Sequence, residues 1–327
     1  MKKAVLVLTN TEDGMHSDIV ISKLLERGER VFRMDSDRLA TGELRVLFSC
    51  DSQQTKFVFE DGTNCIASDE IKSVWYRRPN RFNLRINDQV QKTYAEREFT
   101  SFLDGLWAII PKSVFWVSNP RALEHARKKM HQLELARTMG LAIPRTIISN
   151  DPLKVKAFYD LCGGRVIFKA IYHEFLDYGT RAFNIPTTLI TPTHLAQIDL
   201  VRTLPTLFQE FIEKKYELRV TVVGERVFPV KIDSQANPLT VVDWRNPTYI
   251  NDLHYSPIEL SEKVSKICFG ILDSLGLSFG AFDFAVDTRN ELYFLEVNPN
   301  GQWYWLEDKA KVLISDAMVD ILSEERR

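Results

Sequence analysis

At 327 residues, 45% of them hydrophobic and 11% aromatic, the chain can bury a large core and suits two or three compact units rather than one. Lys and Arg number 42 against 44 Asp and Glu, for a formal net charge of −2. The broad positive field of a phosphate-backbone binder is therefore missing, which argues against nucleic acid as a main partner.

The opening Met1-Lys2-Lys3 followed by Ala4 to Leu8 mimics a signal peptide, but the apolar run stops at Thr9-Asn10-Thr11, too early for an h-region. No apolar stretch approaches the ~18 residues that cross a bilayer, so neither a membrane span nor export is expected. Cys50, Cys65, Cys162 and Cys268 lie far apart without CxxC or Cys/His spacing, which fits a reducing cytoplasm. Val5 to Leu8, Ile19 to Leu25 and Val31 to Met34 read as strand, helix, strand. Leu44 to Phe59 alternates like a hairpin, Val74-Trp75-Tyr76 is a further strand, and Tyr94 to Ile110 has helical periodicity closed by Pro111. This α/β unit is expected to span residues 1–115.

Asn119-Pro120 reads as the N-cap and first turn of a helix running to Met139, with Gly140 to end it. Pro144 to Ile148 is extended, Val155 to Leu161 helical, and Val166 to Lys169 a strand ending in lysine. Leu207 to Ile212, Glu217 to Val223 and Val227 to Ile232 follow as strands. There is no internal repeat.

The segments Phe282-Asp283-Phe284 and Leu295 to Gly301 alternate as two more strands. With Arg289-Asn290 as a two-residue turn, Asp283 falls opposite Glu296 on one face, which Asn298 shares. Flanking Phe, Val and Leu residues cannot neutralise two such carboxylates, so a divalent cation is the simplest partner. Magnesium, which takes oxygen ligands and bridges carboxylates to nucleotide phosphates, suits Asp283, Glu296 and Asn298. The bland reading is a hairpin with water-facing acids.

Upstream stand Lys129, Lys169, the run Gln209-Glu210-Phe211-Ile212, and Glu217-Leu218-Arg219. Each lysine alone reads as a surface residue. In this order, ahead of Asp283 and Glu296-Val297-Asn298, they resemble the nucleotide site of ATP-grasp enzymes. The resemblance covers Asn119 to Gly301 and implies a mixed α/β ATP-grasp fold after an N-terminal pre-ATP-grasp domain. Its central subdomain would be 116–205, and a C-terminal subdomain carrying the metal would be 206–327. It further implies that Lys129 and Lys169 contact ATP phosphates, that Gln209, Glu210, Phe211 and Ile212 form the adenine hinge, and that Glu217 holds ribose. Arg219 would reach the phosphates or an acyl phosphate. The loop Tyr172 to Phe183 holds Gly179 but lacks the Gly-rich run common over the triphosphate, and no GxxxxGK[ST] string occurs, which excludes a Walker loop.

Trp75-Tyr76-Arg77-Arg78-Pro79, Lys129-Met130-His131-Gln132-Leu133 and Asp243-Trp244-Arg245 together resemble the microviridin-type (graspetide) peptide macrocyclases. That family implies activation of Glu or Asp side chains of a ribosomal precursor peptide, with leader and core, for attack by Thr or Ser hydroxyls or by Lys. Arg245 suits a bidentate grip on the substrate carboxylate, and Asp243 suits orienting or deprotonating the nucleophile. A plain surface ion pair is the alternative for these two. Arg77 and Arg78, with Arg81 and Arg85, are expected to meet an acidic peptide or phosphate. No histidine is assigned a role, and a homodimer is compatible with the chain. Competing readings are an amide ligase for Lys side chains, free amino acids or short peptides, and a non-catalytic nucleotide-binding regulator.

Overall fold

The computed structural model describes residues 2–62, 64–79, 84–172, 176–177, 182–183, 185–245 and 248–324. Arg81 and Gly179, which figure in the expectations above, lie outside them.

The N-terminal unit is built on a parallel sheet. Its order is Arg30–Asp35, Ala4–Thr9, Ile71–Tyr76 and Phe115–Val117. Ala4 to Leu8 are wholly buried, with Ala4, Leu6 and Leu8 in one core and Val5 and Val7 in another. Burial on both faces is why this strand reads as a continuous apolar run. The sheet takes in two residues beyond residue 115, through pairing of Val117 with Trp75. A second, antiparallel sheet follows the expected hairpin and adds a third strand: Leu44–Cys50, Thr55–Asp61, Asn64–Ala67. The long helix starts at Gln89, five residues before the apolar periodicity, because the Asp88 carboxylate accepts from Gln91 N at 2.8 Å and caps it.

The helix expected from Asn119 to Met139 is two helices, Pro120–Ala126 and Lys129–Thr138. The break has a buried reason. Gln132 Nε2 donates to Ala126 O at 2.6 Å and to Val297 O at 2.8 Å, while its Oε1 accepts from Val297 N at 3.0 Å. The Gln132 amide thus ties the last strand of the chain to the helix pair, as a ladder neighbour would.

A central sheet has the order Thr188–Leu189, Val166–Lys169, Thr206–Glu210, Thr146–Ser149. A C-terminal sheet has the order Tyr255–Pro257, Arg226–Ile232, Lys214–Val223, Phe279–Asp287, Leu292–Asn298. The chain crosses from one to the other between Glu210 and Lys214.

In the last hairpin Asp283 does pair with Glu296, but not through a two-residue turn. Asp287 N donates to Glu291 O at 3.0 Å, and Asn290 takes the left-handed conformation (φ 65°), so the turn is one residue longer. Phe284 pairs with Phe294, and an extra residue, Leu295, then restores the Asp283–Glu296 match. The bulge matters because strict alternation would set Phe294 and Glu296 on one face. With it, Phe294 is fully buried against Phe282 and Phe284, and Glu296 joins Asp283.

Candidate active site

At the crossing between sheets lies a cleft lined by Lys169, Gln209, Glu210, Phe211, Ile212, Lys214, Glu217, Asp243 and Arg245. Its wall is fixed by hydrogen bonds at the end of the Thr206–Glu210 strand. Gln209 Nε2 donates to Thr146 Oγ1 at 2.9 Å, Glu210 N to Arg145 O at 2.8 Å, and Phe211 N to Arg165 O at 3.0 Å. The Arg165 guanidinium lies over the Phe211 ring at 5.0 Å. Glu217 is buried and accepts from Lys214 Nζ at 2.8 Å. Burial pushes its carboxyl above the usual range, and Lys214 pulls against that shift. Lys214 escaped the sequence reading because Lys214-Lys215 looks like a solvated run.

Beside this cleft, the acidic pair is surrounded by cations. Arg219, paired with Asp283 across neighbouring strands, places Nη1 at 2.8 and 2.9 Å from the two Asp283 oxygens. Lys129 Nζ bonds Glu296 Oε2, and Arg245 Nη1 lies 3.0 Å from Glu296 Oε1 and 3.8 Å from Asp283 Oδ2. Lys169 is buried at the end of its strand. Burial draws its pKa below the ordinary lysine value, with Glu296 and Asp283 pulling up and Lys129 and Arg245 down. The expectation that Asp283 and Glu296 lack neutralising side chains is therefore corrected, since basic residues from other elements compensate them. Spacing along one hairpin could not reveal this. Arg219 reaches the carboxylate of Asp283 rather than projecting free toward a phosphate.

The segment Asp243-Trp244-Arg245 is a turn, not extended. Trp244 is buried against Trp305, with centroids 5.2 Å apart, and anchors the two charged residues. Asp243 Oδ1 accepts from Arg245 N at 3.1 Å and Nε at 3.0 Å. The ion-pair alternative for these two is thus present, but at the cleft rather than on a remote surface. Burial works to raise the Asp243 pKa, yet Arg245 holds it below the usual carboxylate range. Burial likewise works to lower Arg245, and Asp243, Glu296 and Asp283 outweigh it, so the guanidinium stays charged.

Asp283, Glu296 and Asn298 offer the hard oxygen donors that magnesium takes, and Asn298 is exposed at the strand end. Among the described residues no group of three or more Asp, Glu, His or Cys side chains gathers as a closed metal cage. A magnesium ion held by this set would complete its shell with water and phosphate oxygens, which is its ordinary habit. Lys129, Lys169, Arg219 and Arg245 outnumber Asp283, Glu296 and Asp243, so the surplus positive charge suits a polyanion such as a nucleotide triphosphate. The donor set fits magnesium, and the charge balance fits the phosphates of ATP.

Arg77 does not face a peptide. It is 1% exposed, with Nε 3.1 Å from Asp13 Oδ1 and Nη1 donating to Asn300 O at 3.1 Å. Its predicted role as a substrate contact is corrected on this ground: the guanidinium has no open surface. Arg78 is half-buried and lowers the pKa of His16, which burial first and Arg77 second bring to about 3. Arg85 is exposed.

Residues 4–124 match the MvdD pre-ATP grasp domain, and residues 126–322 match the RimK-like ATP-grasp domain. The chain belongs to the RimK-like ATP-grasp family. Three solved structures of similar ligases run the full length of the chain. The macrocyclase MdnC of Microcystis aeruginosa MRC, bound with precursor peptide MdnA, is 30% identical with TM-score 0.86, covering 98% of this chain and 99% of that one. A RiPP-associated ATP-grasp ligase of Chryseobacterium gregarium, in complex with ADP and a leader and core peptide, is 26% identical with TM-score 0.90, covering 99% and 98%. The macrocyclase MdnB of Microcystis aeruginosa MRC is 28% identical with TM-score 0.82, covering 99% and 100%. No curated protein matches. The expected fold and the microviridin-type resemblance are thus borne out, and the protein is an ATP-grasp ligase. No helix among the described residues is long and apolar enough to cross a membrane.

Proposed function

We propose that this ATP-grasp ligase closes rings in a ribosomally made precursor peptide by esterifying its Glu or Asp side chains with Thr or Ser hydroxyls. The reading is carried by one observation: a buried Asp283–Glu296 pair, ringed by Lys129, Lys169, Arg219 and Arg245, at the end of a hinge cleft. A carboxylate is a poor electrophile, and ATP with magnesium would supply the phosphoryl group that turns it into an acyl phosphate with a leaving group. Asp283, Glu296 and Asn298 would hold the metal, Lys129 and Lys169 the phosphates, the segment Gln209 to Ile212 the adenine, and Glu217 the ribose.

Arg245 is placed by Trp244 at the mouth of the cleft, where its planar fork would orient the substrate carboxylate. Asp243, ionised across the neutral range, would hold the nucleophile's proton rather than act as a strong base. A hydroxyl is favoured over a Lys ammonium, because it enters neutral and gives up its proton only as the bond to the acyl carbon forms. The relatives crystallised with precursor peptide or with leader and core peptide support a peptide substrate.

The test is ADP release with and without a candidate precursor peptide. Stimulation by peptide is expected, and Asn298→Ala should cut it about 10- to 100-fold, the equivalent of about 1.5–3 kcal/mol for one charge-assisted contact. Asn298 is exposed, so folding is spared. Stimulation by a free amino acid but by no peptide would replace this reading with a small-substrate ligase.

A further inference from the structure

Arg77 and Asp13 meet because the sheet brings them together. Ala4–Thr9 and Ile71–Tyr76 are neighbouring parallel strands, so the loops that follow them leave from the same edge. Both side chains are 1% exposed, and the N-terminal domain therefore carries a buried ion pair of its own. Such a pair does not stabilise a fold by default, because desolvation offsets its attraction. What Arg77 does with its remaining hydrogens is more telling. Nη1 lies 3.1 Å from Asn300 O, 3.3 Å from Asn300 Oδ1 and 3.3 Å from Gly301 O, and Asn300 Nδ2 donates back to Arg77 O.

Those oxygens belong to the loop that leaves the acidic hairpin. Asn300 N in turn donates to Asn298 Oδ1 at 3.1 Å. A continuous chain of contacts thus runs from Asp13 through Arg77 and Asn300 to the side chain of Asn298. From the opposite side Arg219 Nη2 reaches Gln302 O at 3.3 Å, and a Cβ at Gly301 would come within 2.8 Å of that Nη2 and of Ala281 Cβ. The loop is pinned between two arginines from different domains, with no slack at Gly301.

We propose that Arg77 is a positioning residue for the ligation reaction, fixing from the N-terminal domain the loop that sets Asn298, with Asp13 holding Arg77 in turn. The inference rests on the reading of Asn298 as a magnesium-facing residue. Arginine is required because one planar group must meet Asp13 along one edge and backbone oxygens along another, which a lysine ammonium cannot do.

The test uses the full-length enzyme with Arg77→Lys and Asp13→Asn. ATP binding is measured by calorimetry without divalent cation and across a magnesium titration, alongside the magnesium concentration that half-activates ADP release. Metal-free ATP binding is expected to stay within about twofold of wild type, while the magnesium requirement rises about 10- to 100-fold, as for lost outer-shell contacts at metal sites. A lower melting temperature with an unchanged magnesium requirement would reduce Arg77 to domain glue and overturn the proposal. Should Arg77→Lys not fold, Asn300→Ala keeps the arginine and removes two of its contacts, and it must show the same shift in the same direction. If the wild-type enzyme released ADP without any divalent cation, the magnesium reading itself would fail, before any variant is compared.

Discussion

At the scale of single residues, the site is an exercise in charge compensation. Asp283 and Glu296 are 5% and 7% exposed, where an unpaired carboxylate would cost several kcal/mol. Each is met by a base from another element. Arg245 is the most economical of these, since it bonds Glu296 through Nη1 and Asp243 through Nε. Lysine keeps the charge but concentrates it on one nitrogen, which cannot span the two positions that Nε and Nη1 occupy. Arg245→Lys is therefore expected to lower peptide-stimulated ADP release at least about tenfold, the worth of one charge-assisted contact. Its thermal stability should change little, because the side chain is 39% exposed. Steady-state rates beside a melting curve check this, and near wild-type rates would return Arg245 to a plain ion pair. None of these pairings could be read from spacing. The sequence showed that Asp283, Glu296, Lys129 and Arg219 were chemically suited to one site, but which base serves which acid depends on how two sheets, a helix and the Asp243–Arg245 turn pack.

At the scale of elements, the last hairpin shows how a correct pair can follow from an incorrect turn. A two-residue turn and a regular ladder place Asp283 opposite Glu296. The real hairpin has a longer turn and a bulge at Leu295, and the two departures cancel. Alternation was legible because Phe282, Phe284 and Phe294 need the core. The bulge was not, because a strand carries no local mark of where an extra residue will be accommodated. Turn chemistry offered a clue in Asn290, one of the few residue types that tolerates a left-handed backbone. At φ 65°, Asn290→Gly should be close to neutral, whereas Asn290→Val should destabilise by about 1–2 kcal/mol. Urea unfolding midpoints of the two variants decide this, and equal midpoints would mean the turn relaxes. The split of the expected long helix has a similar lesson. Asn119-Pro120 and Gly140 marked its ends correctly, but its break answers to Gln132 reaching Val297, a contact 165 residues away along the chain.

At the scale of the whole molecule, Arg77 of the N-terminal domain and Arg219 of the C-terminal sheet both hold the 298–302 loop, whereas the order of motifs drew the nucleotide site from Lys129 to Asn298 and left the N-terminal domain only the Arg77–Arg78 substrate contact. The state of Asp243 also bears on which bond the enzyme makes. A Lys nucleophile approaches as an ammonium and must lose its proton before attack. Asp243 is poorly suited to remove that proton, because Arg245 holds its pKa below the usual carboxylate range. A Thr or Ser hydroxyl enters neutral and becomes acidic only as its oxygen bonds to the acyl carbon, when a nearby carboxylate or phosphate oxygen can accept the proton. The expected product is therefore an ester. Each ring, ester or amide, lowers the peptide mass by one water, so mass spectrometry counts rings without naming the bond. Mild alkaline hydrolysis does name it. Rings that reopen with regain of water under conditions that cleave a control ester are the expected result, and rings that survive would make the product a lysine-derived lactam.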